Sequence, residues 1–554
     1  MLRIEELTRK LGLGPDAVEP YGWHRGKFTL EFLSRLPPPR AGAKYINVTA
    51  ISPTPFGEGK TVTSISLSMG LWKTGRSSIV ALRQPSMAPV FGVKGGGAGG
   101  GKASLVPLED LNLHFTGDLH AVTAANNLLA ALIDNHVKRK LTPPIEMGSI
   151  SWRRAMDVSD KALSHIEVGL DGGFHGPRRE TGFDLTAASE IMAILALAKS
   201  FPDLIQRLEK IQVGKTPDGV PVSAKDIRAS GAIAAVMRDA FRPNLVQTIE
   251  GTPALLHAGP FANIGQGNSS VVADRLALTL VDYVVTESGF GSDCGAEKFF
   301  HIKCRQSGLS PNVEVLVCTV RALKWHSGKF GTKSSTAHLM AHLNEPDLEA
   351  VKNGSVNLIG HIENLKQFGV PIVVAINQFP TDTEEELQAI RDIAMQNGVE
   401  GVALCKGFTE GGAGSVALAE AVAKASEKKS VARALYDLED TIEEKLNKLA
   451  VKIYGARGIE LSSKAQEQVA ELTRLGMGSL PVCIAKTQYS FSHDPELLGR
   501  PRDFIFPIRE IGPYAGAGFL YALSGTILTM PGLPPNPSAW NISVDENGNI
   551  LGLK

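Results

Sequence analysis

The sequence predicts an α/β fold: a parallel sheet core crossed by helices, with additional α/β domains. Three observations carry that reading. Apolar runs rich in β-branched residues recur at Tyr45–Ile51, Ser78–Leu82, Asp282–Thr286, Val313–Val320, Pro371–Ile376 and Val399–Leu404. They are continuous rather than alternating, as strands covered on both faces require. Helical stretches fall between and after them, at Thr61–Lys73, Ala187–Ala198, Glu384–Gln396 and the charged Leu435–Val451, and strand–helix alternation builds parallel sheets. Glycine supplies 57 of 554 residues, above the usual ~7%, so the backbone must turn tightly or approach something closely at many points.

Composition excludes several classes. Lys+Arg and Asp+Glu both number 57, so the formal charge is zero; that argues against a nucleic-acid coat or a polybasic membrane binder. Hydrophobic residues at 43% are enough to bury large cores. The start, MLRIEELTRKLG, is charged from Arg3 and has no apolar h-region. The most apolar stretch, Ala515–Met530, is too short and too interrupted for a membrane span. Cys294, Cys304, Cys318, Cys405 and Cys483 are scattered without a CxxC pair, as expected of reduced thiols in a cytoplasmic protein. HFTGDLH, His114–His120, comes nearest to a zinc spacing but reads better as structural or substrate-side.

The most specific local signal follows Tyr45–Ile51: SPTPFGEGKT, then a helix. Strand, glycine-containing loop, Lys-Thr and helix make a phosphate loop, and the expected core is P-loop NTPase-like. The loop Thr54, Pro55, Phe56, Gly57, Glu58, Gly59 with Lys60 and Thr61 would wrap a nucleotide phosphate. Backbone amides and the positive end of the helix dipole face the same place. Lys60 would neutralise the terminal phosphates and the Thr61 hydroxyl would ligate Mg²⁺. Thr54 stands where the general pattern has its first glycine.

Arg83 closes the next strand, at the sheet end where α/β proteins bind ligands. It is either a bidentate clamp for a carboxylate or phosphoryl group, or a surface ion pair. Next comes Lys94-GGGAGGG-Lys102, which reads equally as a flexible linker or as a backbone-lined anion pocket.

At this point the residues resemble a known family. VTAISPTPFGEGKT, ALRQPSMAPVFGVKGGGAGGG, PLEDLNLHFTGDLHAVTAANNLLAALIDNH, PNLVQTIEGTPALLHAGPFANI, DYVVTESGFGSDCGAEKFFHIKCR, VPIVVAINQFPTDTEEEL and LPVCIAKTQYSFSHDPELLGRP are similar to formate–tetrahydrofolate ligases, in order and over nearly the whole chain. The resemblance implies ATP-dependent formation of formyl phosphate, then attack by N10 of tetrahydrofolate to give 10-formyltetrahydrofolate, ADP and phosphate. It implies Lys60 and Thr61 on ATP and Mg²⁺, and Arg83 orienting formyl phosphate. Phe379 and Phe408 would stack on the pterin, with Gln84 and Lys102 also on the substrate side. Lys27, Arg25, Asp118 and His114 are weaker candidates near the substrates. A homotetramer and activation by a monovalent cation are implied in the same way. The expected division is a nucleotide-binding domain over 1–360 with an inserted segment about 142–230, a pterin-stacking domain over 361–455, and a C-terminal domain over 456–554. Loops near Thr142–Gly148 and His361–Pro371 and the turn near Ile453–Gly458 mark these limits.

The chain departs from the family pattern at Gln84, where Glu is usual, at Lys102 for Tyr, at Phe408 for Trp and at Gln378 for Arg. NIGQGNSS, Asn263–Ser270, replaces a His- and Cys-containing version. Most of these fall in segments expected near the pterin, while the phosphate loop and Arg83 are intact. Three alternatives follow: a formate ligase for a different or differently reduced pterin, another acyl-phosphate-forming P-loop ligase, and an ATP-binding scaffold without an acceptor site.

Overall fold

The computed structural model describes residues 1–94, 96–172, 176–331, 336–525 and 527–553. Its architecture is mixed α/β around one large, mainly parallel sheet. Seven parallel strands form the centre: β1 (Lys44–Ala50), β2 (Ser78–Leu82), β3 (Pro253–Leu256), β4 (Tyr283–Glu287), β5 (Val313–Cys318), β6 (Ile372–Asn377) and β7 (Gly401–Cys405). Their spatial order is β3-β2-β4-β1-β5-β6-β7. Antiparallel strands Asn244–Thr248, Gly26–Phe28 and Val18–Pro20 extend the β3 edge.

The continuous apolar runs are explained by burial. Every residue of β2, β3, β4, β5 and β6 is buried. Helix α1 (Lys60–Lys73) returns from β1 to β2 and buries Thr63 through Leu71. On the other side of β5, α2 (Val320–His326) packs against α3 (Leu348–Gln367). Helix α4 (Glu384–Gln396) starts at a capping box between Thr383 and Glu386. One expected strand set was incomplete: β3 is four residues long and opens on Pro253, too little for periodicity to register.

Three expectations are corrected. The stretch Leu435–Val451 becomes helical only at Ile442, because the Thr441 hydroxyl accepts from the Glu444 amide and starts the helix there. Ala187–Ala198 is broken by Ser189, whose side chain accepts from the Met192 amide, so the helix runs Glu190–Leu197. Residue 361, expected in a loop, lies within α3; His361 is fully buried between the hydroxyls of Ser52 and Ser292, 3.0 and 2.7 Å away. The central sheet runs on through β6 and β7 beyond that point.

The inserted and C-terminal parts carry smaller sheets. Glu190 anchors one to the other: its carboxyl oxygen Oε1 accepts from the amides of Gly516 and Ala517 at 2.7 and 3.4 Å. All five cysteines are free thiols, and four of them are buried. Among the described residues no helix is long and apolar enough to cross a membrane.

Candidate functional site

Strand β1 ends at Ala50, and the chain reaches α1 through a loop that holds its own shape. The Thr54 amide donates to Glu58 Oε1 at 2.7 Å, and the Gly57 amide donates to the Thr54 carbonyl at 3.2 Å. The Thr54 hydroxyl accepts from the Phe56 amide at 3.2 Å. Glu58 is buried, and the Thr319 hydroxyl donates to its second oxygen at 2.7 Å. Gly57 and Gly59 take left-handed backbone conformations, φ +78° and +71°, which only glycine adopts freely. The loop's internal bonds use the amides of 54, 56 and 57. Those of 58–62 have no acceptor among the described residues, so the start of α1 presents free N–H donors at the positive end of its dipole. The Thr61 hydroxyl makes no hydrogen bond either, which suits a metal-ligand role. Both side-chain oxygens of Glu58 are thus taken up inside the cradle, by the Thr54 amide and the Thr319 hydroxyl.

Around this cradle the carboxyl ends of three neighbouring strands bring charge together. Arg83 follows β2; its Nη1 donates to the Pro260 carbonyl at 3.0 Å and its Nη2 lies 3.9 Å from Glu287 Oε1. Glu287 closes β4, and its other oxygen is buried without a hydrogen-bond partner. A Cβ at Gly289 would stand 2.9 Å from Arg83 Nη2. Desolvation lowers the Lys60 pKa, opposed by the negative charges of Glu287 and Glu58, with Arg83 adding to the lowering. Lys94 is drawn down to about 8, by desolvation first and then by the cations of Arg83 and Lys60. Lys94 is nevertheless exposed, so it stands at the mouth of the cluster. Three cations act on one another here, Glu287 is the acid that acts on all three, and an anion would relieve their repulsion.

Glu287 was missed by sequence reasoning, and Lys94 was met only as the edge of the glycine run read as a possible anion pocket. The available signal for Glu287 was an acid at the end of a buried strand, in DYVVTES; for Lys94 it was a cation at the edge of the glycine run.

The glycine run is built in, not a linker. The Gly97 amide donates to Asn112 Oδ1 at 2.8 Å, and Gly99–Gly100 pairs antiparallel with Ala103–Val106. Gly95 of the run lies outside the described residues. The Lys102 amide donates to the Phe408 carbonyl at 2.8 Å, and a Cβ at Gly101 would meet that carbonyl at 2.3 Å. This brings Lys102 and Phe408 together, and leaves Phe408 55% exposed. Phe408 follows β7 and Phe379 follows β6, in neighbouring strands whose ends pair Asn377 with Cys405. Arg321 lies over the Phe379 ring, 3.8 Å from its centroid. Gln84 is buried, its Oε1 unpartnered.

The weaker candidates fall elsewhere. Lys27 donates to Asp118 at 2.6 Å in a buried pair, and Asn244 donates to the other Asp118 oxygen at 2.7 Å; neither charge is free for a substrate. Arg25 pairs with Asp110. A cleft of about 590 Å³ between the inserted and C-terminal parts is lined by none of the candidate residues.

Fold and site together define an α/β enzyme that gathers cations and a glycine-shaped loop at the carboxyl ends of a parallel sheet. The family model for formate–tetrahydrofolate ligase matches residues 1–554. The chain is 49% identical over 553 residues to the formate–tetrahydrofolate ligase of Desulforamulus reducens, covering 100% of this chain and 97% of that one. It is 50% identical over 551 residues to that of Bacillus licheniformis and 49% identical over 550 residues to that of Saccharopolyspora erythraea, covering 99% of this chain and 97% of theirs in each case. The chain belongs to the formate–tetrahydrofolate ligase family, and it is a ligase.

Proposed function

We propose that the protein joins formate to tetrahydrofolate through formyl phosphate, using ATP. Formate oxygen attacks the γ-phosphorus, and the bond from that phosphorus to the β–γ bridging oxygen breaks, releasing ADP. N10 of tetrahydrofolate then attacks the formyl carbon, the carbon–phosphate oxygen bond breaks, and phosphate departs as N10 loses its proton. Formate needs this activation because oxide is a poor leaving group, and phosphate is a good one.

The observation that carries the reading is the convergence of Lys60, Arg83 and Lys94 on the loop with free amides at 58–62. Those amides and Lys60 hold the terminal phosphates, with Thr54, Pro55, Phe56, Gly57 and Gly59 forming the wall. Mg²⁺ on Thr61 would offset phosphate charge. Arg83 orients the carboxylate and stabilises charge during transfer. Phe379 and Phe408 stack on the pterin, with Lys102 and Gln84 beside it. A homotetrameric cytoplasmic enzyme, activated by a monovalent cation, completes the reading.

The test is hydroxylamine trapping without pterin. ATP and formate should give formyl hydroxamate with stoichiometric ADP, and Lys60→Ala should abolish both. ADP release independent of formate would overturn the reading.

One observation favours a second reading of the acceptor. The buried Gln84 Oε1 has no donor, and a carboxamide cannot accept from two adjacent pterin donors as a carboxylate does. A pterin substituted at that edge would then be preferred, since ring reduction leaves those two donors unchanged. An acceptor panel decides: efficient turnover of tetrahydrofolate over dihydrofolate and other pterins removes this second reading.

A further inference from the structure

The phosphate loop and the aromatic platform meet at one residue, Glu58. Glu58 takes hydrogen bonds from the Thr54 amide and the Thr319 hydroxyl, and its carbonyl accepts from Asn377 Nδ2 at 3.1 Å. Thr319 is the N-cap of α2, where its oxygen also accepts from the Ala322 amide at 3.1 Å. Two residues on, Arg321 places its guanidinium 3.8 Å from the centre of the Phe379 ring. Phe379 is itself two residues beyond Asn377, and its amide donates to Asp382 Oδ2 at 2.8 Å. Thus the ring is tied to Glu58 along two routes, one through α2 and one through the end of β6. Arg321 Nε is buried with no hydrogen-bond partner and the guanidinium lies over the ring face; the negative charges of Asp382 and Glu58 act on the cation.

We infer that Arg321 is a positioning residue for the pterin: it backs one face of Phe379, fixes the ring, and leaves the opposite face as the stacking surface. The inference rests on reading Phe379 as the pterin platform. A ring already held by a cation and by a backbone hydrogen bond loses little freedom when a flat ligand stacks on it, and that preorganisation strengthens binding. Arg321 touches neither phosphate nor formate in this scheme, so its effect falls on one substrate.

The experiment compares Arg321→Met, Arg321→Gln, Arg321→Lys, Phe379→Leu and the Arg321→Met/Phe379→Leu double variant, each checked by its melting temperature. Arg321→Met and Arg321→Gln should raise the KM for tetrahydrofolate about three- to thirtyfold, the span of a cation–π contact. The KM for ATP and the pterin-free hydroxamate rate should stay as in the parent enzyme. Arg321→Lys should recover much of the loss. In the Phe379→Leu background Arg321→Met should add less than about a further twofold change, since the ring it holds is gone. Unchanged tetrahydrofolate KM in both cation-free variants overturns the inference, as do equal rises for ATP and tetrahydrofolate or a full effect persisting without the ring. Phe379→Leu separates the two levels. If it leaves tetrahydrofolate KM unchanged, the stacking reading fails; if it raises KM while the Arg321 variants do not, only the positioning role fails.

Discussion

A Cβ on Gly59 would stand 2.3 Å from the side-chain nitrogen of Asn377. That nitrogen is not free to retreat: Asn377 is buried and donates to the Glu58 carbonyl at 3.1 Å. Gly59 is also the left-handed residue that opens α1. Gly59→Ala therefore combines a backbone penalty with a lost hydrogen bond, together about 2–3 kcal/mol. The expected result is a fall in kcat/KM for ATP of roughly thirty- to hundredfold, with a smaller rise in the KM for tetrahydrofolate because Asn377 also anchors the strand end that carries Phe379. Adding Asn377→Ala should recover part of the loss by opening the space. A Gly59→Ala enzyme with parental ATP kinetics would show that the loop does not hold the nucleotide.

Arg83 reaches Glu287 at 3.9 Å and the Pro260 carbonyl at 3.0 Å, so its guanidinium is aimed and only partly satisfied. On the proposed mechanism its role is realised as charge redistributes during phosphoryl transfer. Arg83→Ala should lower kcat by orders of magnitude while the Kd for ATP, measured by calorimetry, changes little. A change confined to nucleotide affinity would make Arg83 a binding residue instead.

Much of this was legible beforehand, for identifiable reasons. Buried parallel strands write themselves as unbroken apolar runs, and the loop at 54–61 shows its glycines and its Lys-Thr in a fixed order after such a run. Arg83 could be placed because it directly follows one of those strands. Lys94 and Glu287 could not, since their meaning comes from proximity across strands β2 and β4 that are far apart in sequence. The same holds for Lys27 and Asp118: each looks like a free charge in the sequence, and only the fold shows that they cancel each other. Helix starts were misjudged where a hydroxyl cap, at Ser189 or Thr441, overruled the apolar pattern.

Lys94 supplies a pH signature. With its pKa drawn down to about 8, the ammonium loses its charge as pH rises through that value, and the site loses one of three cations. The kcat/KM for formate and ATP should decline on the alkaline side of about pH 8, with the limb shifted beyond pH 9 in Lys94→Arg, whose guanidinium stays charged. A profile that is flat to pH 9.5 in the parent enzyme would remove Lys94 from the anion site.

The buried pair of Lys27 and Asp118 predicts a stability effect. Lys27→Met leaves Asp118 inside the protein with its Asn244 hydrogen bond and no countercharge. Breaking one side of a buried pair costs about 3–5 kcal/mol, so urea unfolding should show a loss of that order. Lys27→Met/Asp118→Asn, which removes both charges, should regain most of it. A single variant as stable as the parent would mean that Asp118 is not sealed from water.

Glu190 gives the last prediction, and its sign runs opposite to that of an ordinary salt-bridged carboxylate. Burial raises its pKa from 4.5 to about 8, although the Gly516 and Ala517 amides oppose the shift. The folded protein therefore holds a proton that the unfolded chain releases above about pH 4.5. This carboxyl contributes its full stability below that pH and loses it progressively as pH rises through about 8. Glu190→Gln keeps an oxygen to accept from Gly516 and Ala517 but cannot ionise. Between pH 5 and 9 the melting temperature of the parent should drop more steeply than that of Glu190→Gln, so that the variant gains on the parent with rising pH. Parallel curves would show that Glu190 is already ionised in the folded protein, with water reaching it through the cleft it lines.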